Sequence, residues 1–121
     1  MKCKNKVLVV EDEEMLRRCI CRTLKFNEFV PLEASDGKEG IEIFREFSKD
    51  IILILTDIRM PGMDGVTFIQ QIRSIDPKIK IIIQSAEHQY KGFSGSDGFL
   101  LKPYTINDLI EKINNVIGVP A

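Results

Sequence analysis

Ile51-Ile52-Leu53-Ile54-Leu55-Thr56-Asp57-Ile58-Arg59-Met60-Pro61-Gly62-Met63-Asp64-Gly65 is the stretch whose reading decides the fold. Its five consecutive Ile and Leu residues are too few to cross a membrane, and they are bounded by Asp50 before and a Pro/Gly-rich turn after. Such a run reads as a strand buried on both faces. Asp57 follows almost at once. An unpaired ionised carboxylate inside a core is costly, so Asp57 is expected at the carboxyl end of the strand, where open α/β sheets bind their ligands. Taken alone the residue leaves two readings open: a functional carboxylate, or an Asp that caps a helix or shapes a turn.

Upstream, a polar tail over residues 1–5 leads to Val7-Leu8-Val9-Val10, a second buried run that also ends in carboxylates, Glu11-Asp12-Glu13-Glu14. Leu16, Ile20 and Leu24, with Cys19 and Thr23 beside them, recur at the spacing of one helix face, and Arg17, Arg18 and Arg22 take much of the wet side. Asn27-Glu28 breaks the pattern, and Val30 to Ala34 reads as a short strand. Asp36-Gly37-Lys38-Glu39 has capping-box form ahead of Ile41, Phe44 and Phe47 on a second helix.

Downstream, Val66, Phe68, Ile69 and Ile72 supply the apolar side of a third helix that Pro77 ends. Ile79 to Ile83 reads as a fourth strand, followed by Gln84-Ser85-Ala86, and Gly98 to Leu101 as a fifth, leading to Lys102-Pro103-Tyr104. A last helix runs from a Thr-x-x-Asp cap at Thr105 and Asp108 to Ile117, with Ile106, Leu109, Ile110, Ile113 and Ile117 inward and Gly118 and Pro120 as its stop. Residues 86–97 carry little periodicity, and twelve positions is close to the minimum of roughly 10 to 12 for a crossover with its helix. Gly92 and Gly95 each cost about 1 kcal/mol in a helix interior, and Tyr90 and Phe93 are the only large apolar anchors. A turn or two of helix at most is expected there.

Composition narrows the classes. A chain of 121 residues suits a single domain, taken here as 1–121 with tails at 1–5 and 118–121. Its 17 basic and 18 acidic residues nearly cancel, which argues against a broad electrostatic footprint for nucleic acid. The three cysteines are an odd number, and Cys19 and Cys21 point in different directions on a helix, as reduced thiols of a cytosolic protein would. No apolar run reaches membrane-spanning length and no leader of signal-peptide form is present, so a cytoplasmic protein without membrane attachment is expected.

Strands alternating with helices imply an open five-stranded parallel sheet, covered on both faces and joined by right-handed crossovers. In such a fold the ends of strands one, three, four and five can converge, bringing Glu11 and Asp12, Asp57, Ser85 and Lys102 to one edge. The motifs at those ends resemble the receiver domain of a two-component response regulator, of the chemotaxis-receiver kind, over nearly the whole chain. The pair Glu11-Asp12 is similar to the family's acidic pair, and Asp57 to Gly65 matches its Asp-x-x-Met-Pro-x-Met-Asp-Gly loop at every fixed position. Ser85-Ala86 stands where the family has Ser or Thr then Ala, and Lys102-Pro103-Tyr104 resembles its Lys-Pro-aromatic signature.

The resemblance implies a flavodoxin-like strand order 2-1-3-4-5, here with the fourth helix short or missing. It implies that Asp57 accepts a phosphoryl group, with Asp12, Asp57 and the backbone carbonyl of Arg59 as direct magnesium ligands and Glu11 acting mainly through water. Lys102 would supply a point charge to the phosphoryl oxygens, and the Ser85 hydroxyl would donate to them. A cis Lys102-Pro103 bond is expected on the same ground. Phe99 resembles the family's rotating aromatic, against an equal reading as a core residue of the fifth strand. The implied donor is a phosphohistidine on a histidine kinase or histidine phosphotransfer protein, and the implied output is a downstream domain or protein, with no direct contact to nucleic acid. The expected role is regulatory rather than enzymatic, in a domain that assists its own phosphorylation and dephosphorylation. No output domain is visible after Ala121, so the expectation is either a stand-alone receiver or one cut from a larger protein.

The chemistry can be argued from the residues themselves. Three crowded carboxylates repel by about 4 kcal/mol per pair at roughly 4 Å and an effective dielectric near 20, so something cationic must offset them. All-oxygen ligands favour magnesium. A carboxylate can then act as nucleophile, as in aspartyl-phosphate chemistry. Two other classes fit worse. A haloacid-dehalogenase-type phosphatase normally has a second Asp two residues after the first, where this chain has Arg59, and a flavin binder would place a Ser/Thr/Gly-rich loop where four acids stand. A degenerate receiver serving as a phosphorylation-independent interaction module is a third reading, weakened by the complete acceptor set.

Overall fold

The computed structural model describes residues 5–118. Most of the two expected tails, including Pro120, lies outside them. In chain order the elements are β1 (Lys6–Val10), α1 (Glu14–Phe26), β2 (Val30–Ala34), α2 (Gly37–Phe47), β3 (Ile51–Asp57), α3 (Gly65–Ile75), β4 (Lys80–Ser85), a single 3-10 turn (His88–Tyr90), β5 (Gly98–Leu101) and α4 (Ile106–Ile117). All pairings are parallel, in the order β2-β1-β3-β4-β5.

Alternation along the strands divides the core between the two faces of the sheet. Leu8, Val10, Ile54, Ile81 and Ile83 point to one face and meet Ile41 and Phe44 of α2 and Phe68, Ile69 and Ile72 of α3. Val7, Val9, Leu53, Leu55 and Ile82 point to the other and meet Ile20, Cys21 and Leu24 of α1 and Leu109 and Ile113 of α4. The apolar run of β3 is continuous because the strand is central and has to satisfy both layers.

The sequence-based boundaries shift in places. β4 runs Lys80–Ser85 rather than from Ile79 to Ile83, because its pairing with β3 and β5 carries Gln84 and Ser85 into the sheet. On α1 the inward thiol is Cys21, while Cys19 is exposed. Burial, with the nearby Glu33 charge, pushes the Cys21 thiol up to about 11. Ile106, expected to face inward, is 57% exposed, because it opens α4 ahead of the turn that first reaches the sheet. The Asp36 cap is also only half of the expected box. Asp36 accepts from the Glu39 amide, but the Glu39 carboxylate reaches past it to the Ser35 amide at 2.7 Å.

The β4–β5 connection holds no α-helix, only the 3-10 turn, as the shortage of residues predicted. Tyr90 and Phe93 anchor it on the core. Arg73 of α3 does much of the remaining work: its guanidinium donates to the carbonyls of Gly95, Pro77 and Ile79 and pairs with Asp97 at 3.0 Å. Asp97 in turn accepts from the Ile81 amide through its carboxylate and donates its own amide to the Ile81 carbonyl, so the loop is stapled to β4 as well.

Arg73→Ala should therefore destabilise the protein by about 2–3 kcal/mol, since it leaves several backbone carbonyls short of donors. Urea unfolding reads the loss. Amide exchange over residues 91–97 is expected to be faster than in α4 and should accelerate further in this variant. Exchange there as slow as in α4 in the unmutated protein would contradict the loop assignment.

Candidate functional site

The carboxyl ends of β1, β3, β4 and β5 lie side by side because the register sets Val10 opposite Thr56, Asp57 opposite Gln84 and Ser85 opposite Leu101. Each strand therefore delivers its next polar residue to the same edge. Glu11 follows β1, Asp57 closes β3, Gln84 and Ser85 close β4, and Lys102 follows β5.

Lys102 joins the acids. Its Nζ donates to Asp57 Oδ2 at 2.6 Å and to Glu11 Oε1 at 2.9 Å. Asp57 is turned by its neighbours as well, since Oδ1 accepts from the Ile58 amide at 2.7 Å and, more loosely, from the Arg59 amide at 3.3 Å. The loop after it is held by Gly65, whose amide donates to the Ile58 carbonyl at 2.7 Å. A Cβ at Gly65 would lie 2.6 Å from the Asp57 carbonyl oxygen, so the start of α3 can approach the site only with glycine there. Asp64 caps that helix on the Thr67 amide.

Glu11 is 1% exposed. Its Oε1 accepts from Lys102 and from Gln84 Nε2, and its Oε2 from the Glu13 amide. Burial raises its pKa, the Glu13 amide and Lys102 pull against that, and the Asp57 charge adds to the rise. For Lys102, burial alone would lower the pKa. The hydrogen bonds and charges of Asp57 and Glu11 outweigh it and lift the ammonium above its ordinary value.

Asp12 is exposed, yet one carboxylate oxygen each from Glu11, Asp12 and Asp57 lie within 4.8 Å of one another. An all-oxygen set of this kind fits a hard divalent cation such as magnesium. Glu11 is already committed to three protein donors, which suits the outer role expected of it. Ser85 is placed at the same edge but not on Asp57: it is 3% exposed, and its Oγ accepts from the Glu87 amide at 3.0 Å. Phe99 stands near the start of β5, back from the edge, half-buried against the core layer of α2 and α3, with Ile83 as its strand partner. The Lys102-Pro103 bond is cis.

Three contributors were not singled out as site residues in the sequence. The Arg59 side chain, expected to matter only through its carbonyl, forms an ion pair with Glu87 across the mouth of the site. Gln84 is fully buried and donates to Glu11, while its amide oxygen accepts from the Tyr104 hydroxyl. Tyr104 is held protonated, because burial and then the Glu11 and Asp57 charges raise its pKa. The available signals were an amide closing the apolar run Ile81-Ile82-Ile83 and a hydroxyl on the aromatic after Lys102-Pro103.

Comparison with known proteins follows the same lines. The family profile described as response regulator receiver domain matches residues 7–114. The chain is 33% identical over 120 residues to the chemotaxis protein CheY of Bacillus subtilis, covering 94% of this chain and 98% of that one. A receiver domain protein from Clostridium thermocellum superposes with a TM-score of 0.87 at 31% identity, over 94% of both chains. The response regulator protein TrrA from Thermotoga maritima, crystallised in complex with Mg2+-BeF, gives a TM-score of 0.83 at 28% identity, over 93% of this chain and 98% of that one. Other relatives are longer, and this chain spans 12% of one and 51% of another.

Removing the shared cation should expose the cost of the buried acids. Lys102→Met leaves two carboxylates facing each other at the sheet edge, and a loss of about 2–3 kcal/mol is expected, below the full cost of breaking a buried pair because Lys102 is partly exposed. Part of this loss should return at lower pH. With Lys102 gone, the folded Glu11 carboxyl lies still further above its unfolded value, so between the two values the folded state binds more protons and gains stability as pH falls. Urea unfolding at pH 8 and pH 5 checks it: the deficit of the variant against the unmutated protein shrinks at pH 5.

Proposed function

We propose, for a chain that belongs to the response regulator receiver domain family, that Asp57 is the acceptor through which it works. The chain is a phosphoacceptor switch of two-component signalling, and its family is regulatory. The observation that carries the assignment of Asp57 is the convergence on it of the Lys102 ammonium at 2.6 Å and the Glu11 and Asp12 carboxylates, at the end of the central strand.

The transfer is in-line substitution at phosphorus. A carboxylate oxygen of Asp57 attacks, a P–O bond to Asp57 forms, and the bond from phosphorus to the donor breaks. The electron pair leaves with the donor group, which is the imidazole of a phosphohistidine or the carboxylate of an acyl phosphate. Asp12, Asp57 and the Arg59 backbone carbonyl would hold a magnesium ion, with Glu11 acting through water. When bound, that ion neutralises charge between the carboxylates and the phosphoryl oxygens. Lys102 already holds one Asp57 oxygen, Oδ2, at 2.6 Å, and it follows the growing negative charge as a mobile point cation on the acyl phosphate that forms.

Phosphorylation turns the Asp57 carboxylate, with its single negative charge, into an acyl phosphate that carries roughly −1.5 to −2. The response proposed for Ser85 is an exchange of partners: its hydroxyl turns from the Glu87 amide to a phosphoryl oxygen and donates. That move disturbs the Arg59–Glu87 ion pair and the start of the β4–β5 connection, where the fold has no helix to resist it. Phe99 adjoins this segment on β5 and is the aromatic proposed to respond. The phosphoryl source is a histidine kinase or a histidine phosphotransfer protein, and the output is a separate domain or protein. Regulation through helix-borne contacts of the β4–β5 segment is unsuited to this chain, so α4 or another face carries the output. The complete acceptor set disfavours a phosphorylation-independent module.

Incubation with acetyl phosphate and magnesium should add one phosphoryl group by intact mass. Asp57→Asn and a chelator should each abolish the addition. Equal labelling of Asp57→Asn would move the acceptor elsewhere.

A further inference from the structure

Behind the reactive groups lies a run of polar side chains that the transfer chemistry does not use. From the α4 side inward it reads Tyr104, Gln84, Glu11: the Tyr104 hydroxyl donates to the Gln84 amide oxygen, and Gln84 Nε2 donates to Glu11 Oε1 at 3.1 Å. Gln84 is 0% exposed and Glu11 1%. A primary amide has two different ends, and only its NH2 end can face a carboxylate, since the oxygen end would set two partial negative charges against each other. Glu11 thus fixes which end faces it, and the Tyr104 hydroxyl, donating to the amide oxygen at the other end, holds the amide in that orientation.

The arrangement matters because Lys102 serves two acids at once. Its Nζ lies 2.9 Å from Glu11 and 2.6 Å from Asp57. Once Lys102 turns toward a phosphoryl group, Gln84 is the remaining side-chain donor on Glu11 Oε1. From this geometry we infer that Gln84 and Tyr104 form a positioning pair that holds Glu11 aimed at the divalent-cation site, with Tyr104 acting only through the orientation of the Gln84 amide. The inference rests on the magnesium reading given under Proposed function. It makes Tyr104, two residues past Lys102 and outside contact with the ion or the phosphoryl group, a determinant of magnesium affinity. Outer-shell partners of metal ligands typically govern affinity by 10- to 100-fold, and Glu11 acting through water places this pair at the lower end, about ten-fold.

The test is calorimetric titration of the unphosphorylated protein with magnesium chloride, for the unmutated chain, Tyr104→Phe, Gln84→Met and the double variant. Urea unfolding confirms that each is folded. Gln84→Met should weaken magnesium binding about ten-fold. Tyr104→Phe removes one oxygen and should weaken it at least three-fold, roughly, by leaving the buried amide oxygen without its donor, so that Gln84 and Glu11 are held less firmly. The double variant should bind no more weakly than Gln84→Met, since Tyr104 has nothing left to act through. The inference is overturned if Tyr104→Phe stays within about two-fold of the unmutated protein, or if the two effects multiply in the double variant. Should Gln84→Met fail to fold, the Tyr104→Phe titration alone decides in the same sense. An unmutated protein that binds no magnesium fails the metal reading itself, and the positioning pair falls with it. Normal binding in the unmutated chain beside an unaffected Tyr104→Phe overturns the pair alone.

Discussion

The Lys102 ammonium, shared between Glu11 and Asp57, is the interaction on which the site depends. Two carboxylates at the buried edge of a parallel sheet repel each other and pay for lost hydration, and the sheet can carry them only with a cation between them. That cation comes from a strand far along the chain, so the site exists only when β1, β3 and β5 are all in register. Folding and site assembly are therefore one event. On the proposed function the same arrangement would make the site responsive, because a bound divalent ion or a phosphoryl group would change which partner Lys102 serves best.

Around that centre the protein is rigid on one side and loosely tied on the other. Asp57 is fixed by the Ile58 amide and by the close approach of Gly65, and Glu11 by three donors. The β4–β5 connection has only a 3-10 turn, two aromatic anchors and the Arg73 staple. Ser85 and Glu87 sit where these regimes meet, with the Ser85 hydroxyl taken by the Glu87 amide and Glu87 paired to Arg59. On the proposed function, a charge change at Asp57 would act where Ser85 and Glu87 open a connection that holds a 3-10 turn and no α-helix.

Much of this was legible in the chain because the signals were local. The continuous run Ile51 to Leu55 marked a central strand, alternating helices and strands marked the parallel sheet, and twelve positions between Ala86 and Asp97 were too few for a normal crossover helix. Asp57, Glu11-Asp12 and Lys102 could be picked out because each follows an apolar strand directly, so the sheet edge gathers them whatever the details of packing. Errors fell where one residue's neighbours decide its direction. Ile106 opens α4 outward and Cys19 lies on the wet side of α1, although both suited an apolar face by spacing.

The sequence by itself determined the alternation of strands and helices and the acidic edge, since hydrophobic periodicity and motif order are properties of short stretches, while the order of the strands came with the family resemblance of those motifs. Only the tertiary structure decided who serves whom at that edge. Lys102 with Glu11 and Asp57, Arg59 with Glu87, Gln84 with Glu11 and Tyr104, and Arg73 with the loop at Gly95 and Asp97 are all pairings across different elements. Their partners are separated by between 20 and 91 positions along the chain. No local pattern encodes such a choice. It arises when strand register and helix packing bring particular polar atoms within reach, for Glu11 and Gln84 in a place with too little water to offer them anything else.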